Sequence, residues 1–267
     1  MGSKHSTLKS SKKILPIHIV YFTFFDTAGT AFHGSRSQKL ILEQMNDLVK
    51  CGLNKVAKSI DIVLSTSKAN NFNDATEQKI DEAKKVIHSI LPNATVHKSP
   101  GNRFEYPGIR LVWDIANKIP PEQRHDSLIL YFHSKGMNNG NMSRIKTKEN
   151  DFLTKTVLYP WKNIVSRFKS DPKVEKAGYA ASDKGFIWYN FWWARASYLV
   201  GCPRPILTDR RHYYEDWLGR RKRDGNTNPE PGDFKPPDNC LSLCVDGAKG
   251  ELGIQMTHVM EKCKAHT

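Results

Sequence analysis

Apolar positions along this chain recur in two alternating rhythms, short continuous runs and spaced stripes, and their order predicts the elements. Residues 17–25 form a run rich in β-branched and aromatic side chains, which suits a first buried strand. A Gly/Ser-bearing loop over 28–37 follows, and Leu40, Ile41, Met45, Leu48 and Val49 then fall at helical spacing. Residues 60–65 read as a second strand. Residues 75–91 read as an amphipathic helix, apolar at Ile80, Ala83, Val86, Ile87 and Ile90 and closed by Pro92. A third strand at 94–97 leads through a loop to a helix at 109–119, with Val112, Trp113, Ala116 and Ile119 on one face.

The fourth strand, within 126–136, is an apolar run that stops at His133-Ser134-Lys135-Gly136. Alternation of strand and helix to this point predicts an α/β fold. The expected form is a single Rossmann-like domain with a mostly parallel central sheet and helices on both faces. Such sheets bind ligands beyond the carboxyl ends of their strands. A strand that delivers an imidazole, a lysine and a glycine to that end suits an anionic ligand, because Gly136 lets backbone approach a phosphate closely.

Later residues follow a different pattern. Residues 138–150 are polar and basic and read as a loop or lid over the site. Residues 152–168 read as a helix that Pro160 bends or breaks. An aromatic cluster over 185–195 follows, then Tyr213-Tyr214-Glu215-Asp216-Trp217, where the acidic pair is expected to open a helix. Residues 226–239 are rich in Pro, Gly and Asn and read as loop.

Composition narrows the partners. The 267 residues, 39% of them hydrophobic, suffice for one substantial core. A formal charge of +14, from 41 Lys+Arg against 27 Asp+Glu, favours an acidic partner such as a nucleotide diphosphate, a nucleic acid or an anionic lipid. Five cysteines, odd in number and widely spaced, point to reduced thiols and a cytoplasmic setting. Cys240 and Cys244 with His258 and Cys263 depart from standard zinc spacing, so no metal ligand set is assigned.

At the amino terminus, Met1-Gly2-Ser3-Lys4-His5-Ser6 fits the N-myristoylation pattern, with Gly2 as the acylated residue. Lys4, Lys9, Lys12 and Lys13 add a basic segment, the second contribution that stable anchoring on an anionic membrane needs. A solvated tail is the plain alternative. Lys12-Lys13 and the apolar run after it also sketch a signal peptide, but Pro16, His18 and Asp26 interrupt it, and the run is too short for a membrane span. The expected place is therefore the cytoplasm, or the cytosolic face of a membrane.

Three elements together carry a resemblance. These are the strand ending in His133-Ser134-Lys135-Gly136, the block from Gly185 through Asn190-Phe191-Trp192-Trp193-Ala194-Arg195 to Tyr198-Leu199, and Tyr214-Glu215-Asp216-Trp217. In order and content they resemble a group of glycosyltransferases from bacterial polysaccharide clusters and large viruses, similar in the His-Ser-Lys element to the rhamnan-synthesis type. The resemblance spans most of residues 14–220. It implies a glycosyltransferase-A-like domain, with a nucleotide-sugar donor across the strand ends and a glycan or other hydroxyl acceptor held by the second half. The implied organisation is a flexible basic tail at 1–13, a nucleotide-sugar-binding half at 14–137, an acceptor and catalytic half at 138–222, and a loop-rich segment at 223–267.

Many enzymes of that fold carry Asp-x-Asp after the fourth strand to hold a divalent metal; this chain has none, and His133-Ser134-Lys135-Gly136 stands in its place. Lysine and imidazole supply part of the positive charge such a metal would. No cofactor is therefore expected beyond the nucleotide-sugar substrate, with weak or no metal dependence.

Glycosyl transfer needs a base for the acceptor hydroxyl, and the resemblance points to Asp216 first, then Glu215, with Asp183 behind them. Complementing a helix dipole, or pairing with Arg210 and Arg211, would explain the same acids without catalysis. Thr23, Asp26 and Ser65 are placed by their strand ends to touch base and ribose, and Arg103, Glu105, Tyr106 and Arg110 to line the approach to the fourth strand. With His133, Ser134, Lys135 and Gly136 they make up the expected donor site. Trp188, Tyr189, Trp192 and Trp193 are candidate ring faces for an acceptor sugar, with only some expected to reach the cleft, and Asn190 is a candidate hydrogen-bonding group among them. A catalytically idle sugar-binding protein of the same fold is the nearest alternative. A nucleic-acid-binding protein would use the net charge and Arg220 to Arg223, but the basic residues lie in separate clusters and no standard motif is present, so nucleic acid is not an expected partner.

Overall fold

The computed structural model describes residues 15–25, 36–66, 74–99, 101, 103–134, 144–179, 181–182, 185–210, 212–220 and 240–243. Its first half follows the apolar rhythm closely. Strands β1 (Ile17–Phe25), β2 (Ser59–Thr66), β3 (Thr95–Ser99) and β4 (Leu128–His133) alternate with helices α1 (Arg36–Lys50), α2 (Asp74–Ile90) and α3 (Tyr106–Lys118). β1 pairs in parallel with β2 and β4, and β2 with β3. Every residue of β4 is buried, which is why it reads as one continuous apolar run.

The second half completes a single sheet. Helices α4 (Arg144–Leu158) and α5 (Trp161–Ser170) lead to β5 (Lys176–Gly178), and the aromatic block supplies β6 (Trp192–Arg195), followed by α6 (Ala196–Leu199) and α7 (His212–Asp216). β7 (Cys240–Ser242) closes a seven-stranded sheet of order β3-β2-β1-β4-β6-β5-β7. β6 is antiparallel to β4 and β5, and the other pairings are parallel. The fold is thus α/β, with a mostly parallel central sheet flanked by helices on both faces.

Alternation along the strands divides the core into two layers. Tyr21, Leu64 and Phe132 face one side, where α1, α2, α4 and α5 pack, while Phe22, Val63 and Tyr131 face the other, under α3, α6 and α7. Each large apolar side chain fully buried in these layers contributes roughly 1.5–3 kcal/mol. Among the described residues no helix is long and apolar enough to cross a membrane.

Two expectations of local structure are corrected, those for residues 138–150 and for the acidic pair Glu215-Asp216. The segment expected as a polar loop over 138–150 is helical from Arg144 on, because Arg, Lys and Glu are good helix formers and no Gly or Pro interrupts them. Pro160 separates two helices, as a residue without an amide donor should. Glu215 and Asp216 end a five-residue helix rather than open one. The segment after 222 contributes β7 to the edge of the common sheet. Gly2, Asp26, Lys135, Gly136, Asp183 and the tail 1–13 lie outside the described residues.

Candidate functional site

Successive strands run from β1 outward to β3, and α3 then carries the chain back across the sheet to β4 on the other side of β1. Helices on the two sides of this reversal cover opposite faces, and open α/β sheets form their ligand crevice at such a point, here beyond the carboxyl ends of β1 and β4. Thr23 Oγ1 and Ser134 Oγ join these two ends at 2.8 Å, and Ser134 N–H donates to Phe22 O. Both side chains are buried, as is Ser65, whose hydroxyl donates to Gly101 O. The expected contacts of Thr23, Ser65 and Ser134 with a ligand are therefore corrected: buried hydroxyls must be hydrogen-bonded, and these brace the floor of the crevice instead of lining it.

Glu105 occupies the mouth. It sits at the N-cap position of α3, where the helix dipole favours negative charge. Its Oε2 accepts from Tyr131 O–H at 3.2 Å and from Asn190 Nδ2 at 2.9 Å, and its side chain keeps 14% of its surface. Burial first, and then the Glu105 charge, push the Tyr131 phenol well above its ordinary pKa, so this hydroxyl remains a donor. Tyr131 was missed by sequence reasoning because within an apolar strand it is indistinguishable from core.

His133, at the end of β4, lies beside the same carboxylate. Its Nε2 donates to Tyr189 O at 2.8 Å and stands 3.8 Å from Glu105 Oε1. Phe191 packs against the imidazole with ring centroids 4.9 Å apart. Asn190 also donates to Tyr214 O at 2.9 Å; two acceptors on Nδ2 fix its orientation. Its Oδ1 is buried with no hydrogen-bond partner among the described residues.

Backbone strain gathers at this spot. Among the described residues the non-glycine positions with left-handed backbone are Phe104 (φ 51°), Tyr189 (φ 71°) and Asn190 (φ 56°). Phe104 precedes Glu105, Asn190 is bonded to it, and Tyr189 holds His133. Asparagine tolerates such angles, but for Phe and Tyr each costs on the order of 1–3 kcal/mol, and positions of this kind cluster at functional sites.

The aromatic candidates divide. Trp188 and Tyr189, in the turn that bonds to His133 and Glu105, are 49% and 39% exposed. Trp192 and Trp193 are fully buried, with Trp193 Nε1 donating to Val157 O, and their expected contact with an acceptor is corrected to a place in the two core layers. Strand β6 carries both rings inside the sheet, so alternation sends one to each face.

The remaining charged candidates are paired. Arg110 donates through Nε to both oxygens of Asp114 at 3.0 Å. Asp216 is clasped by Arg220, whose Nε reaches Oδ1 at 2.6 Å and whose second nitrogen reaches Oδ2 at 3.1 Å. Arg220 is itself buried against the Tyr213 ring. Glu215 faces His212 at the surface, 3.2 Å from Nδ1. Arg103 is exposed, and Tyr106 packs edge-on to Tyr214. Among the described residues there is no group of three or more His, Cys, Asp or Glu side chains that could hold a metal ion.

No family model matches the chain, and no curated protein matches it. Among solved structures, that of Rv0371c from Mycobacterium tuberculosis H37Rv is similar at 10% sequence identity and a TM-score of 0.33, over 91% of this chain and 98% of that chain. At that TM-score the fold rests on the sheet order described above, not on the likeness.

Proposed function

We propose that this protein is a glycosyltransferase, moving a sugar from a nucleotide-sugar donor to a glycan or other hydroxyl acceptor. The observation that carries the reading is the convergence on one crevice of a carboxylate and a histidine, Glu105 and His133, with a turn that exposes Trp188 and Tyr189. A crevice at a reversal of strand order is where open α/β sheets take nucleotides, and exposed aromatic faces beside it suit the C–H surfaces of a sugar. Lys135 and Gly136, just beyond His133 in sequence, are assigned to the donor diphosphate, and the dependence on divalent metal is weak or absent. Acylation of Gly2 together with the basic tail would hold the enzyme on the cytosolic face of a membrane.

The test is a donor panel of nucleotide sugars with simple glycan acceptors, with and without EDTA. Transfer that survives EDTA is expected. Failure of every donor to be bound or turned over, with RNA bound in a steeply salt-dependent way, would sink the enzyme reading, and binding without turnover would make this an idle sugar-binding protein. Loss of transfer on adding EDTA would sink the metal independence alone. For the tail, release of Gly2→Ala from membranes is expected; an unchanged distribution excludes the acyl anchor.

A further inference from the structure

The geometry points to Glu105, rather than Asp216, as the general base of the proposed transfer; the inference rests on the glycosyltransferase reading. Two carboxylates compete for the role, and their surroundings differ in kind. Asp216 has both oxygens taken by Arg220, a buried guanidinium four residues on. A carboxylate committed on both oxygens to a fixed cation has no oxygen left to turn toward a substrate. That pair ties α7 to the turn after it.

Glu105 is held by one oxygen only. Tyr131 and Asn190 fasten Oε2, while Oε1 makes no hydrogen bond among the described residues and stands beside the His133 ring. One oxygen fixes the geometry and the other keeps its lone pairs for a proton, the arrangement a general base needs. All three strained non-glycine residues adjoin this side chain or its partners, so the surrounding backbone is bent to place it.

In the step assigned, the acceptor oxygen bonds to the anomeric carbon as its proton passes to Glu105 Oε1. The bond from that carbon to the diphosphate oxygen breaks, and its electron pair leaves with the nucleoside diphosphate. Tyr131 and Asn190 are positioning residues for the carboxylate.

The experiment begins with the wild-type chain and a donor it turns over. Glu105→Gln is expected to lower kcat by about 100-fold or more while the Kd for the nucleoside diphosphate stays within about threefold. Glutamine would set its amide nitrogen against Asn190, so Glu105→Asp is the second variant: it keeps the charge, withdraws the oxygen by a methylene, and should lower kcat without changing nucleotide binding. Wild-type transfer together with a Glu105→Gln enzyme that keeps more than about a tenth of kcat overturns the role of Glu105 and leaves the glycosyltransferase reading standing. The same holds if Glu105→Asp matches the wild type, or if Asp216→Asn alone abolishes kcat at an unchanged melting temperature. A wild-type chain that transfers no sugar overturns both.

Discussion

Asn190 donates its side-chain Nδ2–H to Glu105 Oε2 at 2.9 Å, joining a strained aromatic turn to the first turn of α3. The bond spans 85 residues of sequence and is the direct link between the two halves of the candidate site. A second donation from the same nitrogen, to Tyr214 O, ties in α7.

Replacing Asn190 by Asp changes one atom type and reverses the interaction, setting a second carboxylate against Glu105 and against the Tyr214 carbonyl. The loss of hydrogen bonds and the new repulsion should cost about 2–4 kcal/mol at pH 7. Like charges raise the carboxyl pKa values in the folded state above their unfolded values. The deficit of Asn190→Asp against wild type should therefore shrink as pH falls from 7 toward 4.5 and one of the pair takes up a proton. Urea unfolding of both proteins at several pH values measures it, and a deficit that is constant with pH would mean that the two carboxylates do not meet.

How much of this was legible beforehand depends on the range of the interaction. β1 to β4 and α1 to α3 are long enough to show their periods, and the crevice follows from their order. β5, β6 and β7 have three or four residues each, and β6 is buried throughout, so no alternation marks it. Glu105, His133 and Asn190 stood among the candidates, but their roles depend on contacts between residues 26 to 85 positions apart, which local pattern does not report. The ion pair that occupies Asp216 was the exception. Arg220 lies at helical spacing from it and is a visible partner, as are Arg210 and Arg211 on the amino-terminal side.

Gly108 lets α3 lie directly on the sheet. A Cβ there would come within 2.8 Å of Phe22 Cβ and 2.9 Å of the Tyr131 hydroxyl. Gly108→Ala gains about 1 kcal/mol of helix propensity. The Phe22 Cβ is fixed by the backbone of a central strand and cannot retreat, so overpacking of about 1–3 kcal/mol should outweigh that gain. The variant should melt lower than wild type, with Gly108→Val lower still. Because the Tyr131 hydroxyl is the other atom that must move, the substitution also loosens Glu105, and the proposed transfer should fall by more than the loss of folded protein accounts for. A melting temperature equal to or above that of wild type would show that α3 has room to shift.

His18, in β1 at the far end of the sheet from the crevice, makes folding sensitive to acid. Its Nδ1 lies 2.9 Å from Ser59 Oγ, and its buried Nε2 has no partner among the described residues. Burial, followed by the charge of Lys58, holds its pKa below the ordinary value of 6.5 against an opposing pull from Asp61. The neutral imidazole is thus the form the fold accepts, and the unfolded chain binds the proton first as pH falls. Stability from this group is complete above about pH 6.5 and is lost as pH drops from there toward the folded-state value, with a slope of at most about 1.4 kcal/mol per pH unit. His18→Asn keeps a polar partner for Ser59 but has no proton to gain. Its free energy of unfolding in urea should therefore decline less steeply than that of wild type between pH 7 and 5, whatever its value at pH 7; parallel declines would mean that the proton goes elsewhere.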